Sequence, residues 1–96
     1  MLSNAPILIV EDEPFIALEL KASVEDAGGT VVGPVGSVRE AMDLLKTSVV
    51  RAAILDIQLS DGDITPVAEA LLAQGIPVIF QSGVELPTEL RQLCST

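Results

Sequence analysis

Glu11, Asp12 and Glu13 stand at the end of the apolar run Ile7–Val10, and Asp56 closes a second such run, Ala52–Ile57. Carboxylates crowded at a strand end cost free energy unless something positive sits among them. Mg²⁺ meets that need: it takes oxygen ligands in an octahedron, uses one or two carboxylates, and often shares its sphere with phosphate. Two roles then separate. Asp12, with Glu11 behind it, holds the metal, and Asp56 is a nucleophile able to form an acyl phosphate once the phosphoryl charge is neutralised. Ser82 follows a third run, Pro77–Gln81, and offers a hydroxyl that can donate to a phosphoryl oxygen. Each residue also has a plainer reading. Acidic groups suit helix N-termini, and for Glu13 this cap reading is preferred. Ser82-Gly83 and Asp61-Gly62 read as turns. Asp56 must be hydrogen-bonded, metal-bound or exposed at a sheet edge, because an unpaired carboxylate cannot end an apolar strand without cost.

The elements that would position these groups alternate regularly. Ile7–Val10 is a short strand. Ile16, Leu20 and Val24 recur at four-residue spacing, with Ala17 and Ala27 alongside, which predicts a helix from Pro14 to Ala27 with proline in its first turn and Gly28-Gly29 at its end. Thr30–Gly33 reads as a second strand. Ser37 and Glu40 have capping-box spacing for a helix running to about Thr47. Ala52–Ile57 is a third strand and Ser60–Asp63 a loop. A third helix opens at Thr65-Pro66 with Thr65 as N-cap and closes at Gly75. Pro77–Gln81 is a fourth strand, and Pro87 to about Leu93 a short helix.

Strand–helix alternation predicts a single α/β domain over residues 1–96, with a parallel sheet covered on both faces. In such sheets ligands bind beyond the carboxyl ends of the strands, where the strand order reverses. If the first, third and fourth strands are neighbours, Asp12, Asp56 and Ser82 share one shallow pocket.

Composition narrows the chemistry. With 96 residues, 49% of them apolar, the chain suffices for one core. It contains no histidine, which removes imidazole zinc sites and every His-based triad. An enzyme that turns over a substrate is disfavoured accordingly. The net charge of −9 repels phosphate backbones, so direct nucleic-acid binding is not expected. No apolar run is long enough for a membrane span and no basic-then-apolar leader is visible. A lone cysteine, Cys94, cannot form an internal disulfide, and a cytoplasmic setting is expected.

The segments ILIVEDE, VVGPVGSVREAMDLL, AAILDIQLSDGD and PVIFQSG resemble the receiver domain of two-component response regulators, from about Ile7 to Gly83. The resemblance implies a flavodoxin-like, doubly wound sheet of order 2-1-3-4. It implies Mg²⁺ as cofactor and a phosphoryl group passed to Asp56 from a phosphohistidine on a histidine kinase or phosphotransfer protein. By the same resemblance Glu11, Asp12 and Asp56 surround the metal, the backbone carbonyl of Gln58 completes its protein ligands, and Ser82 is the switch hydroxyl. Signalling would then run through protein contacts, to a separate effector among others.

Receivers also carry a fifth strand with a lysine near its end, then a fifth helix. This sequence stops at Thr96, about where that strand would begin, and its last lysine is Lys46. A C-terminally truncated receiver is therefore expected. The alternative reading is a degenerate pseudo-receiver, a phosphorylation-independent binding or oligomerisation module. Without the fifth strand, Pro77–Gln81 would be an apolar sheet edge, which invites pairing. A homodimer or higher self-association is expected on that ground.

Overall fold

Successive residues of a strand face opposite sides of a sheet, and the first strand, Pro6–Val10 (β1), is apolar on both. Leu8 and Val10 enter one buried cluster and Ile7 and Ile9 another. A strand of this kind must be covered twice. The computed structural model describes residues 2–59 and 62–81, and of Gln58 the backbone only. Its remaining elements are helix α1 (Pro14–Asp26), β2 (Thr30–Val35), α2 (Val38–Thr47), β3 (Ala52–Asp56), the two-residue strands β4 (Gln58–Leu59) and β5 (Gly62–Asp63), α3 (Thr65–Ala73) and β6 (Val78–Gln81).

The main sheet has the order β2-β1-β3-β6, with every pairing parallel. With β6 as the fourth strand of that sheet, this is the 2-1-3-4 order expected of a flavodoxin-like doubly wound fold. β4 and β5 form a separate antiparallel pair, so half of the expected Ser60–Asp63 loop is a short strand.

On one face, α2 and α3 bury Ala41, Val67, Ala68 and Leu71 against Leu8, Val10, Ala53 and Leu55. On the other, α1 brings Val24 to Ile7 and Ile9. Leu8, Ile9, Leu55, Leu71, Val10 and Val67 are the largest fully buried side chains, each contributing about 1.5–3 kcal/mol relative to exposure.

Local signals account for most boundaries. Glu13 caps α1 by accepting from the Phe15 N–H at 2.9 Å, and Pro14 occupies the first turn. Gly28 takes φ +89° just past the helix, a conformation open to glycine at little cost. Ser37 caps α2 by accepting from the Glu40 N–H at 3.1 Å, and its hydroxyl donates to the Glu40 carboxylate at 3.0 Å.

Two local expectations are corrected. Thr65 is the first residue of α3, not its N-cap: its N–H and hydroxyl both donate to Asp63 Oδ1, at 2.9 and 2.6 Å. Aspartate two residues upstream makes the turn that threonine was expected to make. Ala27 is exposed past the end of α1 and belongs to no apolar face. The expected C-terminal helix at Pro87, together with Ser82 and Cys94, lies outside the described residues.

Candidate functional site

The two-residue period that buries isoleucine on the α1 face of the sheet also places the acids. Ile7 and Ile9 lie on that face of β1, and the next residue in phase is Glu11. Ala52 and Ile54 lie on the same face of β3, and the next in phase is Asp56. Because β1 and β3 pair in parallel, with Val10 opposite Leu55, Glu11 and Asp56 surface side by side. Asp12 follows one residue later.

Carboxylate oxygens of Glu11, Asp12 and Asp56 all lie within 4.8 Å of one another. Glu11 and Asp56 are buried, at 5% and 8% exposure, while Asp12 is open to solvent. At roughly 4–5 Å two like charges repel by about 1 kcal/mol in water, and by about 3–4 kcal/mol at the effective dielectric of a protein surface. The site answers this with a proton. Burial first, and then a side-chain hydrogen bond to Asp56 and the charges of Asp56 and Asp12, push the Glu11 carboxyl up to about 7. The Glu13 N–H, which donates to Glu11 Oε2 at 3.0 Å, works in the opposite direction. A hydrogen bond between two carboxyl groups requires one proton, which the raised Glu11 carboxyl can supply.

Backbone contacts hold the two strand ends in place. The Glu11 N–H donates to the Val35 carbonyl of β2 at 2.8 Å, and the Ile57 N–H donates to the Gln81 carbonyl of β6 at 3.1 Å. Asp56 is the register partner of Gln81, so the adjacency inferred for the first, third and fourth strands holds up to the last described residue. Ser82 is the next residue in the chain and falls outside the description. Gln58 lies two residues beyond Asp56 in β4, its backbone paired with Asp63.

Three hard oxygen donors at this spacing suit Mg²⁺, which binds through one or two carboxylates and keeps waters in its remaining positions. Asp12 would offer its oxygen from the solvent side, and Glu11 and Asp56 theirs from the buried side. Phe15 and Leu18, one helical turn apart at the start of α1, are 76% and 61% exposed. Ile57, next to Asp56, is also exposed. The sequence reading missed two features of the site, the support of Glu11 by β2 and the use of Gln81 as the neighbour of Asp56. The Gly33-Pro34 pair inside a strand is a signal for the first, since glycine and proline mark bulges.

A family model for the response regulator receiver domain matches residues 7–94. The phyllosphere-induced regulator PhyR of Methylorubrum extorquens is 43% identical over 77 residues, which cover 77% of this chain and 29% of that protein. The chain thus spans less than a third of that relative's length. Among solved structures, SdrG from Pseudomonas melonis Fr1 in its BeF3-activated conformation is similar with a TM-score of 0.71 and 41% identity, over 96% of this chain and 81% of SdrG. A variant of the anti-anti-sigma factor PhyR from Bartonella quintana is similar with a TM-score of 0.71 and 36% identity, over 78% of this chain and 32% of that one.

Proposed function

From the premise that this chain belongs to the response regulator receiver family, we propose that Asp56 is a phosphoacceptor served by Mg²⁺ on Glu11, Asp12, Asp56 and the Gln58 carbonyl. The observation that carries this reading is the meeting of three carboxylates from the ends of β1 and β3 within 4.8 Å. When bound, Mg²⁺ supplies the positive charge that lets a phosphoryl group approach an anionic nucleophile.

The chain's own residues do the rest. An Asp56 carboxylate oxygen bonds to phosphorus as the phosphorus–nitrogen bond to a donor histidine breaks, and the departing imidazole takes up a proton. Glu11 must release its proton to solvent for the site to carry full negative charge, so cation loading is favoured as pH rises. Ser82, which follows Gln81, donates its hydroxyl to a phosphoryl oxygen. The donor is a histidine kinase or histidine phosphotransfer protein, which the exposed Phe15 and Leu18 of α1 can meet with apolar contact. BeF3 activation of the related SdrG favours the same chemistry here, because that group imitates a phosphoryl on a carboxylate.

Signalling through a protein partner follows from the same kinship. One relative is an anti-anti-sigma factor, so the phosphorylated chain acts within a circuit that relieves an anti-sigma factor, directly or through an effector.

Incubation with Mg²⁺ and acetyl phosphate, read by intact mass, tests the reading. One added phosphoryl mass is expected in the wild type and none in Asp56→Asn or without Mg²⁺. A wild-type chain that gains no adduct, yet binds its partner equally well with or without Mg²⁺, would establish the phosphorylation-independent module instead.

A further inference from the structure

The second strand approaches the acidic site by an irregular path. β1 and β2 pair residue for residue at Pro6 with Thr30, Ile7 with Val31 and Leu8 with Val32, and then Val10 pairs with Val35. Over that interval β1 advances two residues and β2 three. The extra residue is accommodated at Gly33-Pro34, where Gly33 takes φ +98°. A side chain at that φ is strained for any L-residue. A Cβ on Gly33 would also stand 2.9 Å from the Val35 nitrogen and 3.0 Å from the Ile9 carbonyl oxygen. Both are backbone atoms held in the sheet and cannot swing aside as a side chain would. Proline is tolerated beside a bulge on an edge strand, where its missing N–H leaves no ladder bond unmade.

The consequence appears at the site. Beyond the bulge the Val35 carbonyl accepts the Glu11 N–H at 2.8 Å, and Gly36 lies against the backbone of Asp12, at a distance where an added Cβ would be 3.6 Å from its Cα. An unbroken register would set Pro34 opposite Val10 and turn the following residues to the other face. We infer that Gly33 is a positioning residue for the acidic site, its bulge delivering the Val35 carbonyl to Glu11 and so fixing how Glu11 and Asp12 leave β1. The inference rests on the phosphoacceptor reading for its consequence in Mg²⁺ binding, and on the hydrogen bond alone for its structural part.

Gly33→Ala and Gly36→Ala in the full chain form the test, since Gly36 lies outside the left-handed region and an alanine there meets only ordinary contacts. Two quantities are read by NMR: hydrogen exchange of the Glu11 amide without Mg²⁺, and Mg²⁺ affinity from the amide shifts of Asp12 and Asp56. In Gly33→Ala, exchange at Glu11 is expected to quicken by roughly tenfold or more, and Mg²⁺ affinity to fall by about tenfold, the lower end for losing support behind a metal ligand. The amides of Leu8 and Leu55 should stay protected, and Gly36→Ala should match the wild type. A Gly33→Ala protein that unfolds more readily but keeps wild-type Mg²⁺ affinity would reduce the bulge to a structural detail and overturn the inference. Should that variant fail to fold, the wild type decides: saturating Mg²⁺ must slow Glu11 amide exchange, because the coupling is reciprocal, and unchanged exchange overturns the inference. A wild type that binds no Mg²⁺ sinks the phosphoacceptor reading instead, while the exchange comparison still judges Gly33.

Discussion

The two faces of the central sheet are built from alternate residues of the same strands, yet they are used differently. The face under α2 and α3 collects Leu8, Val10, Ala53, Leu55, Val67 and Leu71 into a continuous apolar cluster. Among the described residues, the face under α1 gathers just Ile7, Ile9 and Val24 in its buried cluster, and its next positions along β1 and β3 are Glu11 and Asp56. One face carries stability and the other exchanges part of its apolar surface for charge. The contrast teaches that an acidic site can sit at the end of an apolar strand when the opposite face holds the strand in place.

The largest effect that would sharpen this contrast is Leu71→Ala or Leu55→Ala, each expected to cost about 2–5 kcal/mol by loss of burial and cavity formation. Denaturant unfolding measures the loss, and Mg²⁺ affinity of the folded protein should not change. A coupled loss of both would break the division of labour.

Next comes Glu11→Gln. Glutamine imitates the protonated carboxyl, so at pH 8 without Mg²⁺ the unfolding midpoint should rise, whereas Mg²⁺ affinity should fall by roughly tenfold or more as a carboxylate of the cluster is lost. Thermal melts and a Mg²⁺ titration read the two opposite signs.

Glu11 also predicts a pH dependence. Its carboxyl is raised from 4.5 to about 7 in the folded chain, so between those values the folded state binds more protons than the unfolded state. The stability from this group is full below about pH 4.5 and is lost as pH rises through about 7. Melting temperature in the absence of Mg²⁺ should therefore decline by several degrees across that window, and Glu11→Gln should remove the decline. A flat profile in the wild type would show that Glu11 and Asp56 do not share a proton.

The smallest expected effects concern the helix caps. Ser37→Ala, at the start of α2, should cost about 1 kcal/mol. Glu13→Ala removes a similar hydrogen bond from α1 but also takes a negative charge away from the acidic cluster, so it should cost less. Chemical denaturation of the two variants at equal pH compares them, and an equal loss would argue that the charge of Glu13 is too well solvated to matter.

Much of this was legible in the linear chain. The apolar runs ending in Asp56 and in Glu11-Asp12, the Ser37–Glu40 cap and the glycine after α1 are all signals contained within a few residues, and the structure follows each of them. Thr65 was misread because Asp63, two residues upstream, competes for the same turn with a stronger acceptor. The bulge was missed because its purpose lies in another strand: Gly33 and Pro34 announce an irregularity, but only the pairing with β1 reveals that it serves Glu11.

Residue order alone therefore indicated the strands of the main sheet, the three helices between them and the placing of carboxylates at strand tips, since helix caps and strand periods act over one or two turns of chain. Tertiary structure alone decided that Glu11 is buried against Asp56, which helps push its carboxyl up to about 7, and that a β2 carbonyl holds it there. Those facts depend on hydrogen bonds and burial between segments more than 20 residues apart in sequence, and no local pattern encodes them.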